Sequence, residues 1–284
     1  NSYTASHRMP DVVEAIIETT LAKPVEVVKV TQGGARLSTH WNGDRARPAI
    51  AEGHDFVVLQ GQSVEPVFNP PDFQQHAELF AGALREAGST GVWFSTWARR
   101  DVESPPDILW RALEDEYRQA SMYNGDRLAR VGAAWEVAHF EQPEVQLFAP
   151  DRSHPTAEGS LLAACVIAQA IMEVPAQLPA DTPYNLDRDI AEALCAIADE
   201  GVPCGPMESL CDDECVPWDV QNCGTCGATC GPEEPCRAGV CGCEFGVPCN
   251  ERCVDLGTVR NCAACGDACG VGQICEAEIC VCAE

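Results

Sequence analysis

Apolar residues recur at helical spacing from Met9 to Ala22, where Val12, Val13, Ile16, Ile17 and Leu21 share one face. The pattern then shortens into dense apolar runs. A valine-rich run at 25–30 is closed by Gly33-Gly34, one at 56–59 is closed by Gly61, and two more span 92–97 and 128–133. Each predicts a short, mostly buried strand. Helical patterning returns at 72–87, 106–120, 156–172 and 186–199. Strands alternating with helices of about 12 residues or more predict a parallel sheet with helices on both faces. Function gathers at the carboxyl ends of such strands. The segments expected there are Gly33-Gly34, Gln60-Gly61-Gln62-Ser63, Trp97-Ala98-Arg99 and Trp135-Glu136.

The cysteines divide the chain. Of 19, only Cys165 and Cys195 precede residue 204, so the expected domains are 1–203 and 204–284. The tail repeats itself. Cysteines 211, 215, 223, 226, 230, 236, 241 and 243 are spaced 4, 8, 3, 4, 6, 5 and 2 apart, and 249 through 282 give 4, 9, 3, 4, 6, 5 and 2. Two eight-cysteine modules, 211–243 and 249–282, follow from this. Cys204 is left over, with Cys195 or Cys165 as its expected partner. Cys223-x-x-Cys226 and Cys262-x-x-Cys265 could be read as zinc knuckles, but an uneven series of eight fits disulfides better. Such density belongs to secreted scaffolds with too little apolar content for a core, and predicts an oxidising compartment.

Formal charge is -26, and the 18 basic residues include only Lys23 and Lys29 as lysines, which argues against nucleic acid as a partner. No apolar run reaches the roughly 18 residues of a membrane span. A chain that opens on Asn1, with no initiator methionine and no signal peptide, is expected to be processed or truncated. Over 204–284, 14 acidic residues face 3 basic ones, which disfavours an electrostatic hold on anionic cell-wall polymers unless divalent cations mediate it.

Two segments about 150 residues apart supply the candidate chemistry: Asn1-Ser2-Tyr3-Thr4 and Asp151-Arg152-Ser153-His154-Pro155. Serine becomes a nucleophile when a neighbouring base removes its proton, and the base works best when a carboxylate fixes its tautomer. His154 and Asp151, on one loop, are the candidate base and orienting carboxylate for Ser2. His40-Trp41 and Trp97-Ala98-Arg99 are expected to flank the pocket. Arg99 is able to hold a carboxylate or sugar hydroxyl there. The competing expectation is Trp97 in the core and Arg99 in a surface ion pair. His7, His54, His76 and His139 are expected to be ordinary surface or helix residues.

On these residues the chain resembles the SGNH (GDSL-type) hydrolase superfamily. Within it, the chain is similar to a bacterial branch marked by a Gly-Asn-Ser-Tyr/Phe-Thr opening. Leu59-Gln60-Gly61-Gln62-Ser63, Thr96-Trp97-Ala98-Arg99 and Asp151 to Pro155 match that branch's further blocks, apart from Arg152 in place of glycine. The likeness covers roughly residues 1–200. It implies a three-layer α/β/α, flavodoxin-like fold whose first strand, expected before Ser2, is missing. It also implies Ser2 as nucleophile, His154 as general base and acid, and Asp151 as orienting partner. The implied oxyanion hole uses the N–H groups of Ser2 and of Gly34 or Gly33. The third donor departs from the family's usual asparagine and is Gln62 or Ser63, with Gln60 nearby. No metal or organic cofactor is implied. The implied substrate is a small-molecule or polysaccharide acyl ester, and the alternative is a carbohydrate- or surface-binding protein on the same fold with catalysis lost. The tail resembles cysteine-rich repeats that end many exported bacterial proteins, which implies secretion and a cell-surface or extracellular partner.

Overall fold

The computed structural model describes residues 1–102 and 106–199. In the tail it describes 208–211, 214–217, 221, 223, 227–231, 236–237, 240–241, 247–249, 252–254, 262–263, 268–269, 273–276 and 279–282. Two compact units divide at residues 202 and 203.

In the first unit the elements run in order along the chain. Helix α1 (Ser2–Ala5) leads through a 3-10 turn into α2 (Met9–Leu21); α3 (Leu37–Asn42) and α4 (Ala46–Ala51) precede strand β1 (Phe56–Leu59). Then come α5 (Glu65–Phe68), α6 (Pro70–Ala87), β2 (Thr90–Phe94), α7 (Pro106–Met122), β3 (Arg127–Ala129), α8 (Val131–Glu141), α9 (Ala157–Met172) and α10 (Arg188–Asp199). The three strands are parallel in the order β1-β2-β3, with Val92 opposite both Val58 and Arg127.

Side chains of the central strand divide the core. Val92 and Phe94 join Ile16, Ala134, Leu162 and Leu194, drawn from α2, α8, α9 and α10. Trp93 packs instead with Phe73 and Phe80 of α6, Tyr117 of α7 and Leu37 of α3. Alternation in β2 therefore puts helices on both faces, the three-layer α/β/α arrangement expected from the sequence.

Three local expectations are corrected. The run at 25–30 forms no strand. Val25 and Val27 of this run and Phe56 and Val58 of β1 line a cavity of about 760 Å³, and the run pairs with no described strand. An apolar run becomes a strand only when a neighbour takes its N–H and C=O groups. The run at 128–133 divides: β3 ends at Ala129 and α8 starts at Val131. Gly132 permits that turn, because a Cβ there would lie 2.4 Å from the Thr96 carbonyl oxygen. Trp135 and Glu136 consequently sit inside α8 instead of on a loop at a strand end.

Cys165 of α9 pairs with Cys195 of α10 across 30 residues, so neither is the partner of Cys204. Both sulfurs are buried. By loop-closure entropy such a link is worth about 3.5 kcal/mol. Replacing both cysteines with alanine is therefore expected to lower stability by about 2–4 kcal/mol. Urea unfolding of the full chain followed by tryptophan fluorescence checks this, since five of the six tryptophans precede residue 203.

Among the described residues of the second unit there are four antiparallel pairs: β4 (Glu208–Cys211) with β5 (Glu214–Pro217), β6 (Cys236–Arg237) with β7 (Val240–Cys241), β8 (Val247–Cys249) with β9 (Arg252–Val254), and β10 (Gln273–Glu276) with β11 (Ile279–Cys282). Described disulfides are Cys223–Cys236 and Cys230–Cys241 in one module, and Cys262–Cys275 and Cys269–Cys280 in the other. The separations are 13 and 11 residues in both, so the repeat in spacing is also a repeat in pairing. The sulfurs of Cys223, Cys230 and Cys241 lie within 4.8 Å of one another, as do those of Cys262, Cys269 and Cys280. Their disulfides account for both clusters.

Candidate active site

Ser2 is the first residue of α1. Asn1 caps that helix, its Oδ1 accepting from the Tyr3 N–H at 3.0 Å while its Nδ2 donates to the Gly61 carbonyl at 3.0 Å. Thr4 adds a 2.5 Å hydrogen bond to Gln60 Oε1. The short helix is thus fastened to the segment leaving the carboxyl end of β1. The loop with His154 is fastened to the segment leaving β2. Arg100 N–H donates to the Arg152 carbonyl at 2.9 Å, and Trp97 Nε1–H donates to the Ser153 carbonyl at 3.0 Å. Both candidate segments meet on the same edge of the sheet.

There His154 Nε2 lies 3.0 Å from Ser2 Oγ, and His154 Nδ1 lies 2.6 Å from Asp151 Oδ2. Asp151 Oδ1 also accepts the backbone N–H groups of Ser153 and His154, at 3.0 and 2.9 Å. The imidazole hydrogen bond first, and these N–H groups next, hold the Asp151 carboxyl down at about 2. It is therefore an anion wherever the protein would work. A carboxylate at Nδ1 fixes the proton there and leaves the Nε2 lone pair directed at the serine. Arg152, between them, has φ +58. That is the left-handed region favouring glycine.

Tyr3 forms the floor. Its ring stacks on Trp97 at 4.3 Å and meets the His154 ring edge-on at 5.6 Å, and its hydroxyl is 2.9 Å from Ser153 Oγ. Trp97 stacks in turn on Trp135 at 3.9 Å. Trp97 is 0 % exposed, so it cannot touch substrate; the expectation of a pocket wall is corrected to a buried support. In the sequence alone Tyr3 has no role beyond its place in the Asn1-Ser2-Tyr3-Thr4 segment, because only the fold brings its ring onto Trp97 and His154.

The other candidates are dispersed. Arg99 makes a fork to Asp101 with bonds of 2.8 and 2.5 Å, and its Nη1 donates to Ser63 Oγ at 3.2 Å. His40 lines the cavity beside β1 together with Asn1 and Thr4; burial holds it below its ordinary pKa, with nearby positive charge adding to the effect. Gly34, at φ +67, is exposed in the turn closed by Ala35 N–H to Gln32 C=O, and no described hydrogen bond joins it to Ser2. Gln62 turns into its own loop: Oε1 accepts from the N–H groups of Val64 and Glu65, and Nε2 donates to Ser63 Oγ at 3.1 Å. Gln60 Nε2 is buried without a partner among the described residues. No helix among the described residues is long and apolar enough to cross a membrane.

Comparison with solved structures finds the fold similar to hydrolase structures. A protein described as "a putative SGNH hydrolase" from Slackia heliotrinireducens aligns at 29% identity with a TM-score of 0.52, over 60% of this chain and 95% of that one. A DUF4886 family protein from Bacteroides uniformis aligns at 15% identity and TM-score 0.46, over 55% and 65% of the two chains. A variant acetyl-xylooligosaccharide esterase from Geobacillus gives 14% and 0.40, over 56% and 78%. No family model and no curated protein matches the chain. The first unit thus has the parallel α/β architecture of SGNH hydrolase-like structures, and a disulfide-rich tail follows it.

Proposed function

We propose that the first unit is a serine hydrolase of SGNH type that cleaves an acyl ester, with Ser2 as nucleophile, His154 as general base and acid, and Asp151 as the carboxylate that orients it. The observation that carries this reading is the continuous chain Ser2 Oγ, His154 Nε2, His154 Nδ1, Asp151 Oδ2, with links of 3.0 and 2.6 Å. Ser2 Oγ attacks the acyl carbon as its proton passes to Nε2. The tetrahedral oxyanion then collapses, and the same proton leaves with the alcohol. Water repeats the sequence and frees the acid. The Ser2 N–H is the backbone donor assigned to the oxyanion. Of the three candidate side chains for the third donor, Gln60 has an amide nitrogen without another partner, but that nitrogen is buried, so the third donor is left unassigned. The substrate class is an ester of a small acyl group, carried on a small molecule or a polysaccharide.

A protein that only bound carbohydrate would have no use for a base at hydrogen-bond distance from a serine, so the hydrolase reading is preferred to the binder. The disulfides support an oxidising, extracellular setting. The tail is then the part that engages a surface or extracellular partner. A fluorophosphonate probe tests the central claim. Incubated with the full chain and analysed by peptide mass spectrometry, it is expected to add to the peptide bearing Ser2. Folded protein that takes up no probe rules out the activated serine and leaves the binder.

A further inference from the structure

One buried hydroxyl with no part in the steps above is tied by hydrogen bonds to the helix that opens on the nucleophile. Tyr117 of α7 is 0 % exposed, and its ring meets Phe73 of α6 edge-on at 5.0 Å. Its oxygen accepts the N–H of Gly61 at 3.0 Å, two residues past the end of β1. The Gly61 carbonyl accepts from Asn1 Nδ2 at 3.0 Å, and Asn1 Oδ1 takes the Tyr3 N–H at 3.0 Å to cap α1, whose first residue is Ser2. Gly61 therefore directs its N–H to α7 and its C=O to the residue before the nucleophile.

The fit around Gly61 is close. A Cβ there would lie 2.8 Å from the Phe73 ring and 3.4 Å from the Tyr117 hydroxyl oxygen, so the backbone rests directly against both side chains. A buried N–H that loses its acceptor keeps the full cost of having left water, and the segment moves to recover a partner. Such movement carries the Gly61 carbonyl away from Asn1 Nδ2. Thr4 holds α1 separately through Gln60 Oε1, and Tyr3 holds it through the stack on Trp97, so the helix stays in place while its Asn1 end shifts. That end bears Ser2, whose Oγ stands 3.0 Å from His154 Nε2, and a small displacement of a nucleophile from its base lowers rate steeply.

We propose that Tyr117 is a positioning residue for the reaction, its hydroxyl setting the place of Ser2 through Gly61 and Asn1. This rests on the hydrolase reading only for its effect on rate. A fully buried side chain touches neither substrate nor His154 from there, so the loss on removing the hydroxyl falls on the attack by Ser2 and not on substrate affinity.

The test uses the full chain, with p-nitrophenyl acetate as substrate and a fluorophosphonate as reporter of Ser2. Tyr117→Phe keeps the ring and removes the acceptor. Asn1→Ser keeps an acceptor that can cap α1 but is too short to reach Gly61. Each is expected to lose about tenfold in kcat and in labelling rate, with KM within about twofold and the pH midpoint of kcat unmoved. The double variant is expected to lose no more than the worse single one, because both changes cut one link. Phe80→Leu, which trims the same cluster beside Trp41, lowers stability and is expected to leave kcat within about twofold. By NMR, the Gly61 N–H is expected to exchange with solvent about tenfold faster in Tyr117→Phe than in the parent, and the Asn1 side-chain amide signal to shift. A Tyr117→Phe protein with the parent's kcat overturns the proposal, as do losses that multiply in the double variant or that Phe80→Leu shares. Should Tyr117→Phe fail to fold, Asn1→Ser decides, since undiminished kcat there means that the link does not place Ser2. If the parent neither hydrolyses the ester nor takes up the fluorophosphonate, the hydrolase reading fails by itself; an Asn1 amide signal that stays still in Tyr117→Phe then overturns the link, and one that shifts upholds it.

Discussion

Ser2→Ala and His154→Ala are each expected to lower kcat for ester hydrolysis by about 10⁴ to 10⁶, and the double variant no further than the worse single one. The two side chains act as one unit. A serine without its base keeps its proton, and a base without its serine has nothing to activate. Either loss leaves the same remainder, which is binding together with whatever donors face the oxyanion. Asp151→Asn is expected to cost less, about 10³, because the amide can still hold the ring but favours the wrong tautomer at His154. Solvent softens that loss further, since the Asp151 side chain is 52 % exposed. KM is expected to stay within a fewfold throughout, since none of the three supplies the substrate's main binding surface. Steady-state kinetics on p-nitrophenyl acetate gives the measurement. Additive losses in the double variant, or a Ser2→Ala protein with unreduced kcat, would mean that the 3.0 Å contact between Ser2 and His154 does not work as a base and nucleophile.

The candidate residues of the proposed triad were legible in the sequence because they stand in short segments. Asp151, Ser153 and His154 form a local turn whose backbone N–H groups close on one carboxylate, so their spacing alone predicts their contact. What pairs Ser2 with that turn is the fold, which brings both to one edge of the sheet; the apolar runs by themselves place neither segment there. The run at 25–30 shows where such reading stops: its valines are those of a strand, yet a strand depends on the neighbour that takes its hydrogen bonds, and the run pairs with no described strand. The identity of supporting residues is hidden for a similar reason. Tyr117 looks like any core residue of a helix, and only the fold brings its hydroxyl to the Gly61 N–H. Cysteine spacing revealed the repeat in the tail but not its pairing. In both modules the described pairs join the third cysteine to the sixth and the fifth to the seventh.

Trp97→Ala is expected to be the most damaging single change to stability, at about 3–5 kcal/mol, because a fully buried indole leaves a cavity that neighbouring rings cannot fill. Tyr3 and Trp135 lie on its two faces at 4.3 and 3.9 Å, so its removal breaks a stack of three rings reaching from α1 through the segment after β2 to α8. For a unit of this size that loss is expected to lower the thermal midpoint by about 10 °C or more. Lost folding and lost positioning would be confounded in that variant, and Trp97→Phe separates them. Phenylalanine keeps most of the stacking but cannot donate to the Ser153 carbonyl. Without that bond the His154 loop keeps only its backbone tie through Arg100 to the segment after β2, and small displacements of a base lower rate steeply. Trp97→Phe is therefore expected to stay within about 2 kcal/mol of the parent in urea unfolding while losing about tenfold in kcat at unchanged KM. If instead its rate matches the parent's, the Trp97 N–H has no role in placing His154, and the tryptophan is needed for packing alone.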